Sequence, residues 1–210
     1  MLRRASLKSQ RGDTLIEVLF AVTVLSLAVV MSLSIMNQGT AATLRSLEIT
    51  VVRQEIDSQA EALRFLNSAY VATYTSGYAP IATDTSPAAQ YYRLIQDINA
   101  RGLKSVSAFG STGSTCNKAP TSSFIMNART GQYIKYNASQ LIDATASYAQ
   151  VVYSGTTLSN SQGIWIEAVR STPTNGTSYT DFHIRACWGA PGTNMPMTLG
   201  TIVRLYDPTN

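Results

Sequence analysis

From Leu15 to Met36 the chain runs 22 residues with a single charged side chain, Glu17. At about 1.5 Å per residue, an α-helix of that length reaches roughly 33 Å, enough to cross a hydrocarbon layer of about 30 Å. The spacing therefore predicts a membrane-spanning helix. Arg3, Arg4, Lys8 and Arg11 precede it with no acidic residue among them, and the next cation after it is Arg45. That asymmetry keeps the N-terminus in the cytoplasm and places everything after residue 36 outside. A secretory signal competes for the same residues, because it too joins a basic segment to an apolar one. Its apolar core ordinarily spans about 7–15 residues, and the small-residue cleavage site on offer here lies near Thr40, Ala41 and Ala42.

A carboxylate inside such a run is costly in lipid and calls for a role. One role is local. Thr14 and Glu17 have the Thr-x-x-Glu spacing of a capping box, in which the glutamate reaches back to the N-cap amide. A negative charge near a helix N-terminus is also favourable in its own right.

Gly12 followed by Asp13, Thr14, Leu15, Ile16 and Glu17 resembles the class III leader junction of type IV prepilins and related pseudopilins, and the resemblance covers about the first 70 residues. It implies that a membrane prepilin peptidase cuts between Gly12 and Asp13, leaving the apolar run as the helix of the mature subunit. Glu17 then becomes the fifth mature residue. Family members usually begin with an N-methylated phenylalanine, whereas this chain would begin with Asp13. The resemblance assigns Glu17 a second role, pairing with the new α-amine on Asp13 of a neighbouring subunit and so fixing the axial register between helices. Capping and pairing are compatible. The carboxylate of Asp13 lies beside its own amine and competes for it.

The chain carries 16 basic and 12 acidic residues, and the four cations of the leader account for the whole excess. Without the leader the net charge is zero, so the basic balance does not announce a nucleic-acid-binding protein. Beyond the apolar run, Ile49, Val52, Ile56, Leu63, Leu66 and Tyr70 recur at helical spacing, with Gln59 on the same stripe. Arg53 with Asp57 and Glu61 with Arg64 flank it as surface pairs. One long helix from about Thr14 to Tyr70 follows, with Gly39 as its weak point and an expected site of bending or melting on assembly.

Ala88 to Gly102 reads as a short helix with Tyr92, Ile95 and Ile98 on one side, and Gly110 to Cys116 reads as a loop. Strands are predicted at 123–127, 132–136, 148–154, 164–170, 179–188 and 201–206. The fold class is α+β: a long N-terminal helix and a C-terminal antiparallel sheet head, pilin-like. The organisation is a leader at 1–12, a transmembrane and assembly helix at 13–36, its amphipathic upper half at 37–70, and a β-rich head at 71–210. The head has only 15 charged residues in 140, so Ser, Thr, Asn and Tyr dominate its surface.

Cys116 and Cys187 both lie in the exported part, where oxidising conditions permit a disulfide; two buried thiols are the alternative. Many pilin heads tie down a C-terminal segment with one such bridge. His183 is the only histidine. No nucleophile elbow, paired-carboxylate pattern, zinc cluster or calcium loop accompanies it, so no enzyme, metal or cofactor is expected. Asn137 with Ser139 and Asn175 with Thr177 form glycosylation sequons. The eleven tyrosines suit strands and core, or stacking on sugars or single-stranded nucleic acid, with the core reading favoured.

The resemblance implies a structural subunit of a type IV pilus-like filament, made with itself or with other pilins by inner-membrane assembly machinery. Before assembly it is a single-pass cell-membrane protein, and afterwards it is extracellular. The alternatives are a pseudopilin of a secretion or competence machine, and a membrane-anchored surface binding module that never polymerises.

Overall fold

The computed structural model describes residues 13–75, 77–100, 111–112, 115–116, 119–120, 122–135, 141–142, 148–174 and 176–208. Gly12 and the leader lie outside the described residues, as do Asn137 and Asn175.

Helix α1 (Asp13–Thr73) is 61 residues long and passes through Gly39 unbroken. Asp13 is already helical, so Thr14 sits inside the first turn and not at the cap position that a Thr14–Glu17 box requires. Three of the hydroxyls within its apolar stretch are satisfied internally. Thr23 Oγ1 donates to the Phe20 carbonyl at 2.8 Å, Ser26 Oγ to Val22 at 2.7 Å and Ser32 Oγ to Ala28 at 2.8 Å. Turned back onto the preceding turn in this way, they present little unpaired polarity to an apolar environment.

The chain divides into two compact units at Leu44 and Arg45. In the second unit the predicted stripe of α1 is the core-facing one: Val52, Ile56, Gln59, Leu63 and Leu66 are buried, with Ile49 and Tyr70 half-buried at its ends. Glu61 and Arg64 form the surface pair. Helix α2 (Pro87–Ala100) starts one residue earlier than its pattern suggested. Ser86 caps it, accepting from the Ala89 amide at 3.3 Å, and Pro87 takes the first helical position, where no amide is needed. Tyr91 is fully buried with Leu94, Ile95 and Ile98, whereas Tyr92 is half-buried.

Among the described residues ten strands follow: β1 (Ser111–Thr112), β2 (Thr115–Cys116), β3 (Phe124–Met126), β4 (Tyr133–Lys135), β5 (Leu141–Ile142), β6 (Gln150–Ser154), β7 (Thr157–Gln162), β8 (Ile164–Ser171), β9 (Tyr179–Gly189) and β10 (Pro196–Tyr206). β1 and β2 pair as a small hairpin where a loop was expected. The main sheet has the order β10-β9-β8-β3-β4, antiparallel throughout. A smaller sheet, β5-β7-β6, contains one parallel pair, β5 with β7, so the head is not wholly antiparallel. β7 was not predicted. Its sequence is polar apart from Leu158, and only Leu158 and Ser161 are buried.

Alternation along the main sheet sends Ile164 and Ile166, then Phe182, Ile184, Ala186 and Trp188, into one cluster with the α1 stripe and α2. Each of the isoleucines, and Phe182, stabilises the fold by about 1.5–3 kcal/mol. Between β3 and β4, the Asn127 side chain accepts from the Arg129 amide at 3.0 Å, and Gly131 closes the turn at φ 71°. A Cβ on Gly131 would meet Leu66 Cδ2 at 3.3 Å, a tight contact added to the strain that a side chain has at this positive φ.

Candidate functional site

The first candidate is the apolar cylinder of α1. Every residue from 15 to 40 is exposed, Phe20 at 70 % and Ile35 at 69 % included. A soluble monomer does not present an apolar surface of this extent to water. The helix is long and apolar enough to cross a membrane. Its one carboxylate, Glu17, receives no hydrogen bond or ion pair from the described residues. Removed from water among lipid tails or other apolar helices, it requires a cationic or hydrogen-bonding partner from outside this chain's described part. Asp13 opens the described helix and Gly12 lies before it, so the junction predicted for cleavage is described only on its Asp13 side.

The second assembly of functional groups sits on the face of the main sheet turned away from α1. Cys116 and Cys187 form a disulfide with a Cα–Cα distance of 5.8 Å across a sequence separation of 71. It holds β2 over β9, and Ala119, Trp165 and Cys187 form a small apolar cluster beside it. Next to that cluster lies a buried polar set. Trp165 Nε1 donates to Glu167 Oε1 at 3.0 Å, and Arg185 Nε lies 3.5 Å from the same oxygen. Glu167 and Arg185 are opposite charges on adjacent strands, diagonal to one another by two residues, and neither is left alone in the low-dielectric interior.

His183 belongs to the same outer face, opposite Glu167 on β8 and Ile202 on β10. Burial, then the neighbouring Arg185 charge, hold its imidazole below its ordinary pKa, while Asp181 and Glu167 pull the other way. It is therefore mainly neutral at pH 7. No group of three metal-ligating side chains occurs among the described residues.

Sequence reasoning placed Gln59 on the apolar stripe without a task. Its amide accepts from the Met126 amide at 2.9 Å and donates to the Met126 carbonyl at 3.0 Å. It thus satisfies a stretch of β3 whose neighbour β8 pairs only at Phe124. A fully buried amide on a core stripe was itself the signal. Trp188 and Glu48, joined at 3.0 Å, and Arg170 with Asp207 were not legible, because each partner is separated from the other by a long stretch of chain. Comparison with family models, characterised proteins and solved structures finds no match.

Proposed function

We propose that this chain is a pilin-like structural subunit, cut between Gly12 and Asp13 and assembled through the apolar half of α1 into an extracellular filament. The observation that carries the reading is the fully exposed apolar stretch 15–36 with one carboxylate near its start, on the same helix that further along contributes a stripe to the head's core. In the filament, Glu17 faces the α-amine that cleavage creates on a neighbour's Asp13. Pairing the two removes two isolated charges from an apolar surround and sets the stagger between subunits.

Mass spectrometry of the protein recovered from sheared surface filaments tests the reading, with a mature N-terminus at Asp13 as the expected result. A product starting near residue 43 would mean that the helix is a discarded secretory signal. Recovery only with membranes would mean an anchored module that does not polymerise. Glu17→Ala is expected to be cut normally and to fall by about tenfold or more in filaments, the scale of a lost buried charge pair. Asp13→Phe is expected to raise incorporation, since it removes the carboxylate competing for the amine.

A further inference from the structure

β10 is an edge of the main sheet: it pairs along all 11 of its residues with β9 and has no strand on its other side. Just past its end the Asp207 amide donates to the Ser178 carbonyl at 2.8 Å, the next step of the same register. Bonding groups alternate along an antiparallel ladder, so odd residues of β10 turn their amides and carbonyls to β9 and even residues turn theirs outward. The outward backbone groups of Thr198, Gly200, Ile202 and Arg204 meet no partner among the described residues.

Natural sheet edges are commonly blunted by lysine, internal proline or a bulge. The interior of β10 has none of these. Its proline is its first residue, its register with β9 runs without a shift, and its one charge, Arg204, is turned onto Asp181 of its own sheet at 2.7 and 2.8 Å. The strand also carries both a knob and a hollow. Ile202 is 60 % exposed, and Gly200, two residues before it on the same face, opens a hollow of 370 Å³ flanked by Thr198, His183 and Arg185.

We propose that β10 docks a second copy of itself, antiparallel about a twofold axis at Thr201, as a contact between two heads. This register pairs the whole strand with its copy. It sets Ile202 of each copy beside Gly200 of the other, Leu199 beside Val203 and Thr198 beside Arg204, so each knob meets a hollow and no like charges face one another. Even residues face even residues, so the outward groups bond each other, whereas a slip by one residue would set them against groups already turned inward. Pro196 faces Tyr206 and has no amide to offer its carbonyl. Asn67 Nδ2 of the same chain reaches that carbonyl at 3.4 Å and supplies the bond the proline cannot.

The pairing has a direction. Trp188, opposite Met197 at the start of β10, bonds Glu48, and Tyr206 at its end is reached by Asn67, so β10 runs the same way as the upper stretch of α1. The twofold therefore turns the two upper stretches in opposite directions. Copies side by side in one membrane or one filament point the same way, so the contact joins copies from two different ones. It needs neither leader cleavage nor polymerisation, and its failure would leave the proposed function standing.

Cysteine cross-linking of the full chain in dodecyl maltoside micelles tests the register. The two native cysteines are bonded to one another, so an added one reports alone. Thr201 faces its own copy in a non-hydrogen-bonded pair, with Cα atoms about 4.5 Å apart and within disulfide reach. Thr201→Cys is expected to give an oxidised dimer on a non-reducing gel. Position 199 lies about 13 Å from its own copy in this register, so Leu199→Cys should give about tenfold less dimer. Adding Ile202→Lys to Thr201→Cys removes the knob and charges the edge at an exposed position, and should lower the dimer about tenfold with the urea transition of the head unchanged. No dimer from Thr201→Cys, an equal yield from Leu199→Cys, or a dimer indifferent to Ile202→Lys would each overturn the proposal. So would cross-linking of Thr201→Cys in cells to a protein other than this chain, the edge then serving a different partner.

Discussion

The two stretches of α1 belong to one continuous helix and meet opposite fates. Between 15 and 36 no position is buried, although the stretch is predominantly apolar. Between 49 and 70 a stripe recurring every third or fourth residue is buried, and most of the opposite side is exposed. The upper stretch has a polar side, so it can turn its apolar stripe to a sheet and remain wet on the other. The lower stretch is apolar all round, and burial on one side would still leave the remainder exposed. It needs an environment that surrounds it, which a single head of this size does not supply.

Perturbations that respect this division should act on one stretch and spare the other. Cys187→Ser, or reduction, removes a cross-link closing a loop of about 72 residues and should lower head stability by about 4 kcal/mol in the chain-entropy account. Membrane extraction of the chain should not change. Next in size, Leu63→Ala should destabilise the head by about 3 kcal/mol in urea unfolding, because Leu63 has no exposed surface. Leu27→Ala, at a position 58 % exposed, should shift the same transition by less than about 0.5 kcal/mol. Equal effects from the two would erase the contrast between the stretches.

Gln59→Leu sharpens the contrast within the upper stretch, since leucine completes the apolar stripe yet strands two backbone groups of Met126. A loss of about 2 kcal/mol is expected, and a gain in stability would show that the amide pairing is dispensable.

The smallest effect is a pH dependence. Hydrogen bonds from Arg204 hold the Asp181 carboxyl below its ordinary value of 3.8. Its contribution is therefore present above that value and is lost as pH falls through the lower native one. Asp207 has the opposite sign: burial raises its carboxyl above the ordinary value despite Arg170, so acidification relieves a cost there. Asp181→Asn should lower stability at pH 7 and flatten the loss seen on acidification below about pH 4. An unchanged acid slope would count against the Arg204 pairing.

Local pattern made much of the head legible. The runs around Phe124, Ile134, Val151, Ile166 and Phe182 alternate or cluster strongly enough to read as strands, and each lies in one. β10 begins at Pro196, five residues before the predicted Thr201, because Gly200 and Pro196 disguise a strand that its pairing with β9 enforces. β7 escaped for a related reason. A polar strand held between β5 and β6 draws its stability from ladder hydrogen bonds and carries little periodic signal. The hairpin of β1 and β2 is short enough that its Ser, Thr and Gly composition reads as a loop.

Short-range chemistry determined the two halves of α1. The length of the apolar run, the place of Glu17 and the spacing of the stripe depend only on neighbours within a few turns, and all were readable along the chain. Partnerships between distant elements belonged to the tertiary structure: Gln59 with Met126, Glu167 with Arg185 and Arg170 with Asp207. Nothing in a buried polar residue's own sequence says which distant strand will satisfy it. The sheet's register decides that, because it alone brings the matching donor and acceptor within reach.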